Sequence, residues 1–201
     1  MKINRAAAPR TLLFSLFIAA ALLLVSGSVT PVWAEIDPPF KLPPKEKLLL
    51  LRSGVLVTNK GNIFFELYPE KAPWHVANFK YLADIGFYRK IRFHLHEPGY
   101  VIQGGAPGPK PNSGPGYTLP PEFNSLKHTA GSLSMVRKPN ELDFEHTRRS
   151  HGSQFRILMK TAPKMDGYFT VFGRVIKGLD VVESLHKDDY IKDLKVFVSK
   201  R

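Results

Sequence analysis

The sequence predicts a mainly β fold: a closed antiparallel barrel of about eight strands capped by two helices. Short runs rich in branched and aromatic residues recur along it, at Gly54 to Thr58, Asn62 to Tyr68, Ile91 to Leu95, Tyr100 to Ile102, Gly131 to Val136, Phe155 to Met159, Phe169 to Val175 and Leu194 to Val198. Turn signals separate them, among them Asn59-Lys60-Gly61, Pro98-Gly99 and the Pro/Gly stretch from Pro107 to Gly116. Only two segments carry helical spacing. Many short strands, frequent turns and few helices favour a barrel.

Taken in order, the chain opens with Lys2, Arg5 and Arg10, then the apolar run TLLFSLFIAAALLLV, then Val32-Trp33-Ala34. This is the pattern of a secretory signal peptide cut after Ala34, giving segments 1–34, 35–52 and 53–201. The apolar run is shorter than the about 20 residues a spanning helix needs, which disfavours the alternative of an uncleaved anchor. Residues 35–44 hold four prolines and read as an extended arm. Lys45 to Arg52 reads as a first strand or a helical turn. Gly54 to Thr58 and Asn62 to Tyr68 form a hairpin over Asn59-Lys60-Gly61. Pro73 suits a first helical turn, and Val76, Phe79, Leu82 and Ile85 recur on one face until Gly86. Ile91, Phe93 and Leu95 share one strand face, with Arg92, His94 and His96 on the other. Gly178 to His186 is the second helix.

The 201 residues suit one domain plus a leader. Removing the leader's three basic residues leaves 26 basic against 17 acidic, or +9. The cations are spread along the chain rather than gathered with aromatics on one element, which argues against a nucleic-acid binder. There is no cysteine, so disulfide and thiol chemistry are excluded.

The segment FHLHEPGYVIQGGAP (Phe93 to Pro107), followed in order by TAGSLSM, GSQF, MDGYFTVFGRV and GLDVVESL, resembles the cyclophilins, the peptidyl-prolyl cis-trans isomerases. The resemblance spans roughly residues 54 to 199. It implies the barrel fold, no cofactor and no metal, and a monomer acting on proline-containing segments of secreted proteins. The leader, in turn, implies export, to the periplasm in a Gram-negative source, with no membrane contact beyond it. The resemblance also implies a groove lined by Phe93, Leu95, Tyr100, Val101, Gln103, Met135, Val136, Arg137, Gln154, Phe155, Met165 and Phe169. Four positions depart from the family pattern. Leu95 stands where the catalytic arginine is expected, Arg156 where a pocket phenylalanine is expected, Lys164 in place of an aromatic, and Arg137 in place of an asparagine.

Twisting an Xaa-Pro bond breaks amide conjugation against a barrier of about 18 to 20 kcal/mol. The chemistry asks for an apolar seat for the ring and a donor that binds the twisted bond better than the planar one. Two readings follow. In the first, Arg156 replaces the missing cation, paired with Gln103. In the second, the domain is catalytically inactive and uses Arg137, Arg148, Arg149 and Arg156 to bind proline-containing or acidic segments. Two minor alternatives are a metal site built from His94, His96 and Glu122 or His128, and a hydrolytic triad drawn from Ser150 and His151 with Asp143, Glu145 and His146, which lacks a nucleophile elbow.

Overall fold

The structure, a computed structural model, describes residues 37–108, 110, 113–137 and 148–200. The expected signal peptide and most of the charged segment between Arg137 and Ser150, with Asp143, Glu145 and His146, lie outside the described residues.

Eight antiparallel strands form one curled sheet: β1 (Ser53–Thr58), β2 (Asn62–Leu67), β3 (Leu95–Glu97), β4 (Val101–Gly104), β5 (Ser132–Arg137), β6 (Ser150–Leu158), β7 (Val171–Lys177) and β8 (Ile191–Phe197). Their order is β3-β4-β6-β5-β7-β2-β1-β8. The edge strands β3 and β8 are joined through irregular backbone. Lys90 N donates to Ile191 O, Ile191 N to Ile91 O, and Phe93 N to Asp189 O. The run expected as a strand from Ile91 to Leu95 is therefore mostly this connector, with Ile91 and Phe93 buried as the alternation requires.

Among the described residues three α-helices accompany the sheet: α1 (Lys45–Leu48), α2 (Pro73–Asp84) and α3 (Leu179–Ser184). The segment after the prolines takes the helical-turn alternative, and Leu48 and Leu51 enter the core. Phe40 of the arm packs against Trp74 and Tyr81 of α2, with ring centroids 6.0 and 5.1 Å away. The arm is thus seated on α2.

The core is an aromatic cluster centred on Phe79 of α2. Phe65, Tyr88, Phe155 and Phe172 lie 5.1 to 5.7 Å from its ring, three of them edge-on. Edge-to-face geometry suits the ring quadrupoles. A second, smaller apolar cluster gathers Val101, Leu158, Ala162 and Met165 with the half-buried Leu95, Tyr100 and Phe169.

Candidate functional site

The smaller cluster lies beside a row of residues that the strand pairing brings into line. Leu95 of β3 is opposite Gln103 of β4, Gln103 is opposite Arg156 of β6, and Arg156 is opposite Ser134 of β5. Directly opposed residues in antiparallel strands share a face. Leu95 and Arg156 therefore occupy the same surface two strands apart, with Gln103 between them.

Arg156 Nε donates to Gln103 Oε1 at 2.9 Å. A guanidinium has no acceptor, so this bond fixes which end of the Gln103 amide is oxygen. Gln103 Nε2 then donates to Gln154 Oε1 at 3.0 Å and faces His94 Nε2 at 3.1 Å. His94 must accept there, which makes it neutral with its proton on Nδ1. That Nδ1 is buried without a partner among the described residues. Burial holds the His94 pKa below the usual imidazole value, with Gln154 opposing and His151 adding to the shift. Gln154 Nε2 passes its donors to Ser113 O at 2.9 Å and His151 Nε2 at 3.3 Å. One arginine thus sets the polarity of the whole amide chain.

The apolar wall is built around the same cation. The Arg156 guanidinium lies 4.7 Å from the centroid of the Phe169 ring, a cation–π contact. Tyr100 OH donates to Met165 Sδ at 3.9 Å, closing the other side. Burial lowers the Arg156 pKa while Tyr100 and Glu97 raise it. An arginine in a protein stays charged, so the groove holds a permanent cation against an aromatic face.

Beneath Phe169, His128 Nε2 lies 3.0 Å from Ser134 Oγ and Nδ1 lies 3.0 Å from Asp166 Oδ1. His128 N also donates to Asp166 Oδ1 at 2.9 Å. These bonds, with Lys127 alongside, take the Asp166 pKa down to about 2. The His128 ring meets Phe169 edge-on at 6.4 Å and so supports the wall from below.

Of the expected groove residues, Leu95, Tyr100, Val101, Gln103, Gln154, Met165 and Phe169 come together here with Arg156. Arg137 lies at the rim, its guanidinium 5.8 Å from both the Phe123 and Phe169 rings and donating to Tyr168 O. Phe93, Met135 and Phe155 differ from expectation. Each is wholly buried in the main core, Met135 and Phe155 on β5 and β6 and Phe93 on the connector that precedes β3. Val136 is nearly as buried. Lys160, which the sequence reading missed, sits 4.9 Å from the Tyr100 ring centroid. Nothing in its local sequence pointed to the groove.

The metal and triad alternatives are corrected by position. His94 serves Gln103, His96 packs against His186 with centroids 5.1 Å apart, His128 serves Asp166, and Glu122 lies at the start of α2. Among the described residues no group of three or more such side chains could hold a metal ion. Ser150 Oγ does lie 2.7 Å from a histidine nitrogen, but that histidine is His75, paired with Glu122 at 2.5 Å. His75 and Ser150 are at most 1 % exposed, so this network ties elements together and cannot meet a substrate.

The family model for cyclophilin type peptidyl-prolyl cis-trans isomerase/CLD matches residues 55–198. The chain is 40% identical over 149 residues to peptidyl-prolyl cis-trans isomerase B of Bacillus subtilis, a match covering 73% of this chain and 99% of the relative. It is 38% identical over 148 residues to a peptidyl-prolyl cis-trans isomerase of Synechococcus elongatus, covering 73% and 97%. Among solved structures, a cyclophilin type isomerase of Cryptosporidium parvum superposes with a TM-score of 0.66 at 28% identity, covering 74% of this chain and 99% of that one.

Proposed function

From the chain's membership of the cyclophilin-type peptidyl-prolyl cis-trans isomerases, we propose that it catalyses Xaa-Pro rotation with Arg156 in the role that the family gives to an arginine at the Leu95 position. The observation that carries this is the Arg156–Gln103 bond at 2.9 Å, which anchors the cation in the same sheet row as Leu95.

The proline ring would sit on the wall of Leu95, Tyr100, Met165 and Phe169. With Arg156 Nε spent on Gln103, its Nη groups would be the donors left for the bound peptide. As the bond twists, the prolyl nitrogen regains its lone pair and the carbonyl loses conjugation, so a donor held here binds the twisted state more strongly. A charge-assisted donor of this kind contributes about 2 to 4 kcal/mol. A cation displaced by two strands aims less directly, and the expected activity is weak. The apolar leader of residues 1–34 supports export, with clients among other exported proteins.

The test is cis/trans exchange of a short Ala-Pro peptide followed by NMR exchange spectroscopy. The wild-type protein should accelerate exchange and Arg156→Phe should abolish the acceleration. A silent wild type beside an active Leu95→Arg, Arg156→Phe double variant would instead make this a binding module.

A further inference from the structure

The groove is ringed by cations beyond the one that serves the reacting bond. Lys160 is exposed, with Nζ 4.9 Å from the ring of Tyr100, a wall residue. Lys164 is exposed on the short 3-10 turn Pro163–Met165, next to the wall residue Met165. Arg137 stands at the Phe169 side. Among the described residues, the nearby acids form no ion pair with Lys160 or Lys164. Asp166 is held by His128 and by Lys127 at 3.2 Å, and Glu97 is the exposed end of β3.

We propose that this rim selects prolyl bonds flanked by acidic side chains, with Lys160 and Lys164 as the specificity-determining cations. The inference rests on the reading of the groove as the proline site. An extended peptide advances about 3.3 to 3.6 Å per residue. Lys160 against the Tyr100 ring, and Lys164 one residue before Met165, would therefore meet side chains one or two residues from the bound proline. Like-signed cations on one rim attract anionic segments and repel basic ones, which sets specificity and association rate more than raw affinity.

The experiment compares capped Xaa-Ala-Pro-Ala-Xaa peptides in which Xaa is Glu, Gln or Lys, so the isomerised bond is constant. At low salt, kcat/KM should be about fivefold higher for the Glu peptide than for the Gln peptide, with the Lys peptide lowest. The spread should close in about 1 M salt, where screening acts within about 3 Å. The Lys160→Glu, Lys164→Glu double variant should reverse the order. Equal kcat/KM for Glu and Gln peptides, or an order that survives charge reversal, would overturn the proposal. If no peptide is exchanged, the catalytic reading fails separately. Chemical-shift titration of the same peptides then decides the charge preference, and equal Kd values for Glu and Gln peptides would end it.

Discussion

Arg156 reaches Gln103 across the β4–β6 ladder from the position directly opposite it in register. The pairing is what makes an arginine on β6 usable at the bond that β3 and β4 present. Gln103→Leu removes the anchor while keeping the bulk. Losing a hydrogen bond to a charged group is worth about 1.5 to 3 kcal/mol, so the catalysed exchange rate should fall by about one to two orders of magnitude. Gln103→Glu keeps an acceptor for Arg156 but has no N–H for Gln154 or His94, and should fall less. An unchanged rate in Gln103→Leu, read by NMR exchange on an Ala-Pro peptide, would remove this pair from the mechanism.

The same chain of donors predicts acid sensitivity. Burial is the main cause that lowers the pKa of both His94 and His128. Unfolded imidazoles take up a proton near pH 6.5. Below that pH the unfolded state binds more protons than the folded one, so stability is full above about 6.5 and is lost as pH falls toward the folded values. The slope is up to about 1.4 kcal/mol per pH unit for each histidine. Asp166, held down to about 2, stays ionised through this window. Activity should fall on the acid side as well, because a protonated His94 sets an N–H against the Gln103 N–H. Urea midpoints and exchange rates at pH 7 and pH 5 check both expectations, and a flat stability across that range would contradict them.

Much of this was legible in the sequence, and the residues that were not share a reason. Seven of the eight strands came from alternation and turn chemistry, which are local, while β3 begins only where the expected Ile91 to Leu95 run ends. Gln103, Gln154 and Arg156 were picked out by family resemblance, and only the ladder register shows that Gln103 and Arg156 are directly opposed. The family resemblance places Phe93, Met135 and Phe155 in the groove by their positions in its motifs, and motif position does not give burial, which puts all three in the core. Lys160 was invisible because a cation–π contact to Tyr100 joins residues 60 positions apart. The partner of His75 was hidden for the same cause.

Glu122 caps α2 from 47 residues away. The N-cap position, Ala72, makes no side-chain bond, and the Glu122 carboxylate accepts from Trp74 N at 2.9 Å and His75 N at 3.0 Å. It also holds His75 Nδ1, whose other nitrogen meets Ser150. A carboxylate at a helix N-terminus satisfies orphan donors and complements the helix dipole. Glu122→Ala should cost about 2 to 3 kcal/mol, since it removes a cap and strands a buried imidazole. Chemical denaturation measures this directly, and a loss below about 0.5 kcal/mol would mean that water replaces the carboxylate without penalty.

Gly105 explains the second glycine of the Gly104-Gly105 pair, and a control glycine separates the two causes at work. Its φ is +94°, and a Cβ there would collide with the carbonyl oxygen of Ser153 and lie 2.9 Å from Gln154 Cα. Ser153 Oγ also donates to Gly105 O at 2.7 Å, locking the two backbones together. Gly99 has a φ of +66°, but a Cβ there meets nothing within 4 Å. Gly99→Ala therefore carries only the left-handed backbone penalty of about 1 to 2 kcal/mol. Gly105→Ala carries that penalty plus displacement of β6 at Ser153 and Gln154, and should cost at least about 3 kcal/mol. Because Gln154 receives the Gln103 amide, Gly105→Ala should also lower the catalysed exchange rate in whatever fraction stays folded, while Gly99→Ala should lower stability with far less effect on rate per folded molecule. Equal losses of stability in the two variants would show that β6 yields freely at Ser153, and that the close approach of these strands does not position the amide chain.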